Sequence, residues 1–99
     1  KPIEPNNYYH SYQSYHIVLN ERINRNFILN KLNSFGIGSN YGAQCIPETF
    51  YYKKKYNHNC LEMFPNALRM YKSGLVLPLY GSLQEKQITY VCEKLNSII

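Results

Sequence analysis

Phe64-Pro65-Asn66-Ala67, then Gly74-Leu75-Val76-Leu77-Pro78-Leu79, then Ser82-Leu83-Gln84-Glu85 is the stretch whose reading decides the fold. Proline at a first helical position gives up no hydrogen bond the helix needs, and its fixed φ suits helix entry. Glycine just past a helix end tolerates left-handed geometry. Serine with glutamate three residues on is a capping box, which satisfies two orphan amides at a helix start. The apolar run between these signals is the right length for a buried strand. The stretch therefore reads helix, strand, helix, the last running over about residues 83–97 and burying Ile88, Val91, Cys92, Leu95 and Ile98.

Working outward, Phe27, Ile28, Leu32 and Phe35 recur at helical spacing, and Gly36 stands where a glycine ends a helix. This predicts a helix over residues 25–35. Residues 15–19 are aromatic, β-branched and apolar, which suits a strand, and residues 37–41 read as a second short one. Pro47 opens another helix that carries Lys53-Lys54-Lys55 toward its end, where cations oppose the negative pole of the dipole. Residues 57–62 read as loop. Residues 1–12, with two prolines, paired asparagines and tyrosines, read as an irregular lead-in rather than a packed element.

The order that results is β-α-β-α-α-β-α. It describes an α+β domain: a small sheet of about three strands with helices on one face, where the apolar stripes can all be buried. Ninety-nine residues allow one such domain and not two. The chain starts at Lys1 without an initiator Met or an apolar leader, which suggests a piece of a longer product, and no apolar run approaches the roughly 20 residues of a membrane span. A soluble cytoplasmic protein is the simplest expectation.

Charge and cysteine content narrow the chemistry. The formal net charge is +5, from 11 Lys and Arg against 6 Glu, with no Asp, a balance that suits phosphorylated ligands, nucleic acid or plain solubility. Cys45, Cys60 and Cys92 form an odd set without paired spacing, so reduced thiols are expected, with Cys92 in the core. Cys45, His58 and Cys60 are too few and too irregular for a zinc site. No nucleophile stands at informative spacing from a base, so no catalytic residue is named. The glycines of residues 36–42 imitate a dinucleotide fingerprint, but here a helix precedes them where that motif needs a strand. Lys53, Lys54 and Lys55, flanked by Tyr51, Tyr52 and Tyr56, are the one feature that would serve a nucleic-acid-binding module, the alternative function. The other cations are scattered, which favours a solvated helix face.

Several of these landmarks occur in a telling order: Gln13-Ser14-Tyr15, the 25–35 helix with Gly36-Ile37-Gly38, Asn40-Tyr41-Gly42-Ala43-Gln44, Tyr51-Tyr52 with its lysines, then the 64–85 stretch. In that order they resemble the end of a DegT-type (DegT/DnrJ/StrS) aminotransferase, over about residues 13–99. The resemblance implies the small C-terminal domain of a fold-type I enzyme dependent on pyridoxal 5'-phosphate, moving an amino group from an amino-acid donor to a nucleotide-linked keto-sugar in polysaccharide or amino-sugar biosynthesis. It also implies that the cofactor and its Schiff-base lysine belong to a larger N-terminal domain. This chain alone would then be inactive, with no cofactor-binding, catalytic or metal residue, and its partners would be that domain and a second copy in a homodimer. Residues 39–44 would approach the cofactor phosphate and the sugar nucleotide, so Asn40, Tyr41, Gly42 and Gln44 are the expected substrate-binding residues, with Gln13 beside them. Members of the family often carry histidine where this chain has Gly42, Pro47 and Gln13, a departure that leaves the substrate subclass open. Tyr8, Tyr9 and Tyr12 are expected to pack loosely or to mediate self-association.

Overall fold

The computed structural model describes residues 3–99. The lead-in expected over residues 1–12 is irregular from residue 3 onward, and Lys1 and Pro2 lie outside the described residues. The elements are β1 (Tyr15–Val18), α1 (Arg25–Ser34), a 3-10 turn (Ile46–Glu48), α2 (Phe50–Tyr56), α3 (Cys60–Met63), α4 (Pro65–Ser73), β2 (Gly74–Leu77) and α5 (Glu85–Asn96).

The sheet has two antiparallel strands, with Tyr15 opposite Leu77, His16 opposite Val76, Ile17 opposite Leu75 and Val18 opposite Gly74. Alternation along these strands sends Ile17, Leu75 and Leu77 to one face, where they join Leu19, Ile28, Leu32, Ile37 and Leu95 in the main core. Ile28 and Leu32 of α1 and Leu75 of β2 are fully buried. A second, smaller cluster joins Cys45, Cys60 and Leu68, with Phe64 and Tyr71 against it. The helices thus divide between two clusters: α1 and α5 pack on the main core, α3 and α4 build the second, and α2 contributes no buried residue.

The third strand expected over residues 37–41 is reduced to one bridge. Val76 donates to the carbonyl of Asn40 at 2.6 Å, and Asn40 returns a long bond of 3.4 Å. Two local effects stop the ladder there. The Asn40 side chain captures the next amide, Tyr41 N–H, at 2.7 Å, offering the backbone an alternative to pairing. Gly42 then turns the chain away with φ +78.

Other expectations were displaced along the chain. Residues 57–62 are not all loop, because Asn59 caps a short α3 by accepting from Leu61 N–H at 3.1 Å. Gly36 does end α1, with φ +73 and its N–H bonded to Asn33, while Ile37 N–H reaches back to Leu32, so both orphan carbonyls are satisfied. Gly74 does not end α4 in that way: its φ of −70 and ψ of 141 make it the first residue of β2. The capping pair of α5 is Gln84 and Gln87 rather than Ser82 and Glu85, with the Gln87 side chain accepting from Gln84 N–H at 2.9 Å. Ile88 and Cys92 are exposed, because a two-stranded sheet is too narrow to cover the whole apolar stripe of α5. They border an apolar cleft of about 280 Å³ with Tyr15, Leu77 and Leu83. Among the described residues no helix is long and apolar enough to cross a membrane.

Candidate functional site

The bridge between Asn40 and Val76 and the end of β1 bring two stretches of polar sequence together. Gln13 and Ser14 lead into β1, while Gly38, Ser39 and Asn40 run along the far edge of β2, and between them lies an open cleft of about 320 Å³. Its polar wall is Gln13, Ser14, Ser39 and Asn40; its apolar wall is Val76, Leu77, Pro78 and Leu79. The oxygen of the Asn40 amide is taken by Tyr41 N–H, which leaves its NH₂ group as the donor. The Ser39 hydroxyl is shielded from solvent and has no hydrogen-bond partner.

Two of the five residues expected from sequence, Gln13 and Asn40, therefore meet in one cleft, although they are far apart in the chain. The other three form a neighbouring knot. The Tyr41 hydroxyl accepts from Gln44 Nε2 at 3.2 Å, and the Tyr41 ring stands edge-on to Tyr71 at 6.0 Å. The Arg25 guanidinium lies over that ring at 5.4 Å from its centre. Gly42 lies against Val76 and the His16 ring, with no room for a Cβ.

Three residues were missed as site candidates. Ser14 and Ser39 line the cleft directly. His16 lines a second hollow, of about 440 Å³, which shares Gln13 and Ser14 with the first, and its Nε2 is buried without a partner. The signal was present for Ser14 and His16: two residues apart at a strand start, they belong to one face. For Ser39, an uncharged residue inside a glycine-rich loop, sequence pattern offers nothing to separate it from its neighbours.

Electrostatically the cleft is neutral. Neither cation nor carboxylate lines it. Arg25 is committed elsewhere: its Nη1 donates to the carbonyls of Tyr71 and Gly74, both at 3.2 Å, and its Nε to Asn26 at 2.9 Å. The lysine run is also engaged locally, within α2 and with the 3-10 turn before it. Lys53 pairs with Glu48 at 2.5 Å, Lys54 stands over Phe50 at 6.0 Å, and Lys55 lies near the rings of Tyr51 and Tyr56 at 5.5 and 5.4 Å. The hydrogen bond from Lys53 holds the Glu48 carboxyl below its ordinary value, helped by one from the Cys60 thiol, and the same bond raises Lys53. Burial pushes the Cys60 thiol up. No group of three His, Cys or Glu side chains suited to a metal occurs among the described residues, and His58 Nε2 is instead 2.8 Å from the Pro47 carbonyl.

Pyridoxal phosphate does not fit the residues gathered here. The cleft has no lysine for a Schiff base, no acid to face a ring nitrogen and no cation for the phosphate. What it offers is uncharged donors and acceptors opposite an apolar strip.

The fold is similar to that of a protein described as a sugar aminotransferase, Spr1654 from Streptococcus pneumoniae, in its PMP-form, with a TM-score of 0.74. The two are 24% identical, and the match covers 86% of this chain and 21% of that one, so the likeness is one of fold and this chain spans about a fifth of its neighbour's length. No curated protein matches the chain. The model of the DegT/DnrJ/EryC1/StrS aminotransferase family matches residues 1–96, nearly the whole length, and the chain therefore belongs to that family.

Proposed function

We propose that residues 13–99 are the C-terminal small domain of a pyridoxal-phosphate-dependent aminotransferase that acts on nucleotide-linked keto-sugars, and that residues 1–12 connect it to a larger N-terminal domain. The family match over residues 1–96 carries the reading. The neutral cleft supports it, because a domain without lysine or acid at its cleft suits a wall over chemistry housed elsewhere. In the complete enzyme, a homodimer in the cytoplasm, pyridoxal phosphate bound by the large domain supplies the electron sink for amino transfer.

This chain's own residues bind, orient and exclude water. Asn40 and Gln13 donate to the substrate from the cleft, while Tyr41, pinned by Gln44 and covered by Arg25, holds the 39–44 loop in shape. Gly42 lets that loop lie flat on the sheet, against Val76 and His16. A wall so placed removes bulk water from the reacting atoms and strengthens every polar contact beneath it. The open Lys53–Lys55 face plays no part in the reading.

The test compares this chain with the same chain extended by its upstream coding sequence. After pyridoxal phosphate and borohydride, the 99-residue chain should carry no stoichiometric lysine adduct. The extended protein should carry one, outside these residues, and should move nitrogen from glutamate to a nucleotide-linked keto-sugar. A single defined adduct on Lys31, Lys53, Lys54, Lys55, Lys72, Lys86 or Lys94 overturns the proposal.

A further inference from the structure

We propose that Arg25 is a positioning residue: it ties the 39–44 loop to the junction of α4 and β2 and so sets where that loop stands, although Arg25 lines none of the clefts described above. The proposal rests on the aminotransferase reading above for what the loop faces, and on the contacts of Arg25 for how the loop is held.

The first argument is charge. Arg25 opens α1 and is half-buried, yet among the described residues no carboxylate pairs with it; the ion pairs there join Lys53 to Glu48 and Arg69 to Glu21. A guanidinium drawn partly out of water needs other partners. It finds them in the carbonyls of Tyr71 and Gly74, to which Nη1 donates at 3.2 Å each. Tyr71 lies in the last turn of α4, where carbonyls lack a donor within the helix and form the negative pole of its dipole. Gly74 begins β2. One nitrogen thus clasps the chain where helix turns into strand.

The second argument is what the rest of the group does. The guanidinium lies over the Tyr41 ring at 5.4 Å from its centre, and the same ring stands edge-on to Tyr71. The Tyr41 carbonyl packs beside Gly74, 3.0 Å from where a Cβ would be. Loop, helix end and strand start therefore meet at Arg25. Donating along its edge while covering a ring with its face suits a planar guanidinium, and a lysine ammonium cannot do both.

The third argument is how little else holds the loop. Asn40 is bridged to Val76, and beyond it the Ala43 N–H bonds to the Tyr41 carbonyl, inside the loop. Among the described residues no backbone hydrogen bond leaves residues 41–44. The bond between Gln44 and the Tyr41 hydroxyl fixes the loop's shape and not its place. With the packing of Gly42 as the other hold, a cation over a ring, modest in energy, decides where Tyr41 and its neighbours stand.

The extended protein tests this in two ways. Hydrogen exchange read by mass spectrometry follows the loop itself, and steady-state kinetics follow the consequence. Arg25→Lys should speed exchange of residues 41–44 about tenfold, while residues 28–32 of α1 exchange as in the parent. The KM for a nucleotide-linked keto-sugar should rise about tenfold, with kcat and the KM for glutamate within about twofold of the parent, the pattern of lost uniform binding. Tyr41→Leu removes the ring that Arg25 covers, so adding Arg25→Lys to it should change loop exchange by less than about twofold more. Arg69→Lys, the same substitution at the exposed pair with Glu21, should match the parent throughout.

Unchanged loop exchange in Arg25→Lys overturns the proposal. So does exchange that rises equally over residues 28–32, which would make Arg25 a general support of the fold, or a full additional effect in the Tyr41→Leu background. Faster loop exchange with an unmoved KM also overturns it, because the loop would then be anchored without serving the substrate. An extended protein that does not transaminate sinks the aminotransferase reading, while the exchange measurements still decide whether Arg25 anchors the loop.

Discussion

Gly74 shows how a single residue type can be read correctly as special and wrongly as to cause. A Cβ at that position would run into the Met70 carbonyl and the His16 ring, and would come within 3.0 Å of the Tyr41 carbonyl. Its φ of −70 is open to any residue, so the constraint is space rather than backbone freedom. Gly74→Ala should therefore cost about 1–3 kcal/mol, the range for overpacking a rigid site, while Gly81→Ala, with nothing within reach of its Cβ, should stay within about 0.5 kcal/mol in urea titration. Sequence alone showed a glycine at a helix end and supplied the commonest reason; the atoms that exclude a side chain are a carbonyl in the last turn of α4 together with a strand side chain and a loop carbonyl distant in the chain. The cysteines repeat the lesson. Cys92 falls on the apolar period of α5 and is exposed, whereas Cys45 and Cys60 lie in irregular sequence and are buried. A thiol reagent should label Cys92 rapidly in the native chain. Cys45 and Cys60 should react only after denaturant is added, with Cys60 further protected because burial keeps it protonated.

At the scale of elements, what was legible is what local sequence controls. The 25–35 helix was readable because its apolar spacing and its Gly36 stop agree, and it forms with Ile28 and Leu32 fully buried and with the Asn24 side chain capping its start. The middle strand was not readable, since pairing depends on a neighbour's edge, and the Asn40 side chain and Gly42 intervene. The cleft shared that fate: Asn40 and Gln13 were legible singly, their meeting was not. The lysine helix α2 forms, but from Phe50 rather than from Pro47, which opens the separate 3-10 turn; α2 buries no residue, and it is held by Glu48 with Lys53 while His58 ties the following loop to Pro47. The Glu48 carboxyl is lowered, so its contribution is present above the ordinary carboxylate range and is lost as pH falls through the lowered value. Lys53 is raised, so its contribution is present below the ordinary lysine range and is lost as pH rises through the raised value. Lys53→Ala should accordingly move the Glu48 titration, followed by carboxyl NMR, back up toward the usual carboxylate position. An unmoved titration would show that the pair does not form in solution.

The whole molecule exposes more surface than its mass requires. A folded monomer of 11.7 kDa is expected to show about 5,900 Å², and this chain shows 7,699 Å². Its radius of gyration is 15.7 Å, where a compact domain of 100 residues has about 13 Å. The excess is rich in large apolar groups: Tyr9 is 93% exposed, Phe50 81% and Leu61 68%. Single exposed apolar residues are ordinary, but an enlarged surface carrying this many leaves apolar area available for a partner to cover. In the proposed enzyme the large domain and the second subunit do so. Freed of them, the chain should associate with itself: light scattering should give a mass that rises with concentration, and a hydrophobic dye should fluoresce on binding it. Replacing Tyr8 and Tyr9 with serine should lower that association, because these rings lie wholly outside both cores and their loss costs the fold little. A mass constant across concentration, with no dye bound, would mean that water alone satisfies this surface, and the argument for a covering domain would then rest on the family match without physical support from the fold.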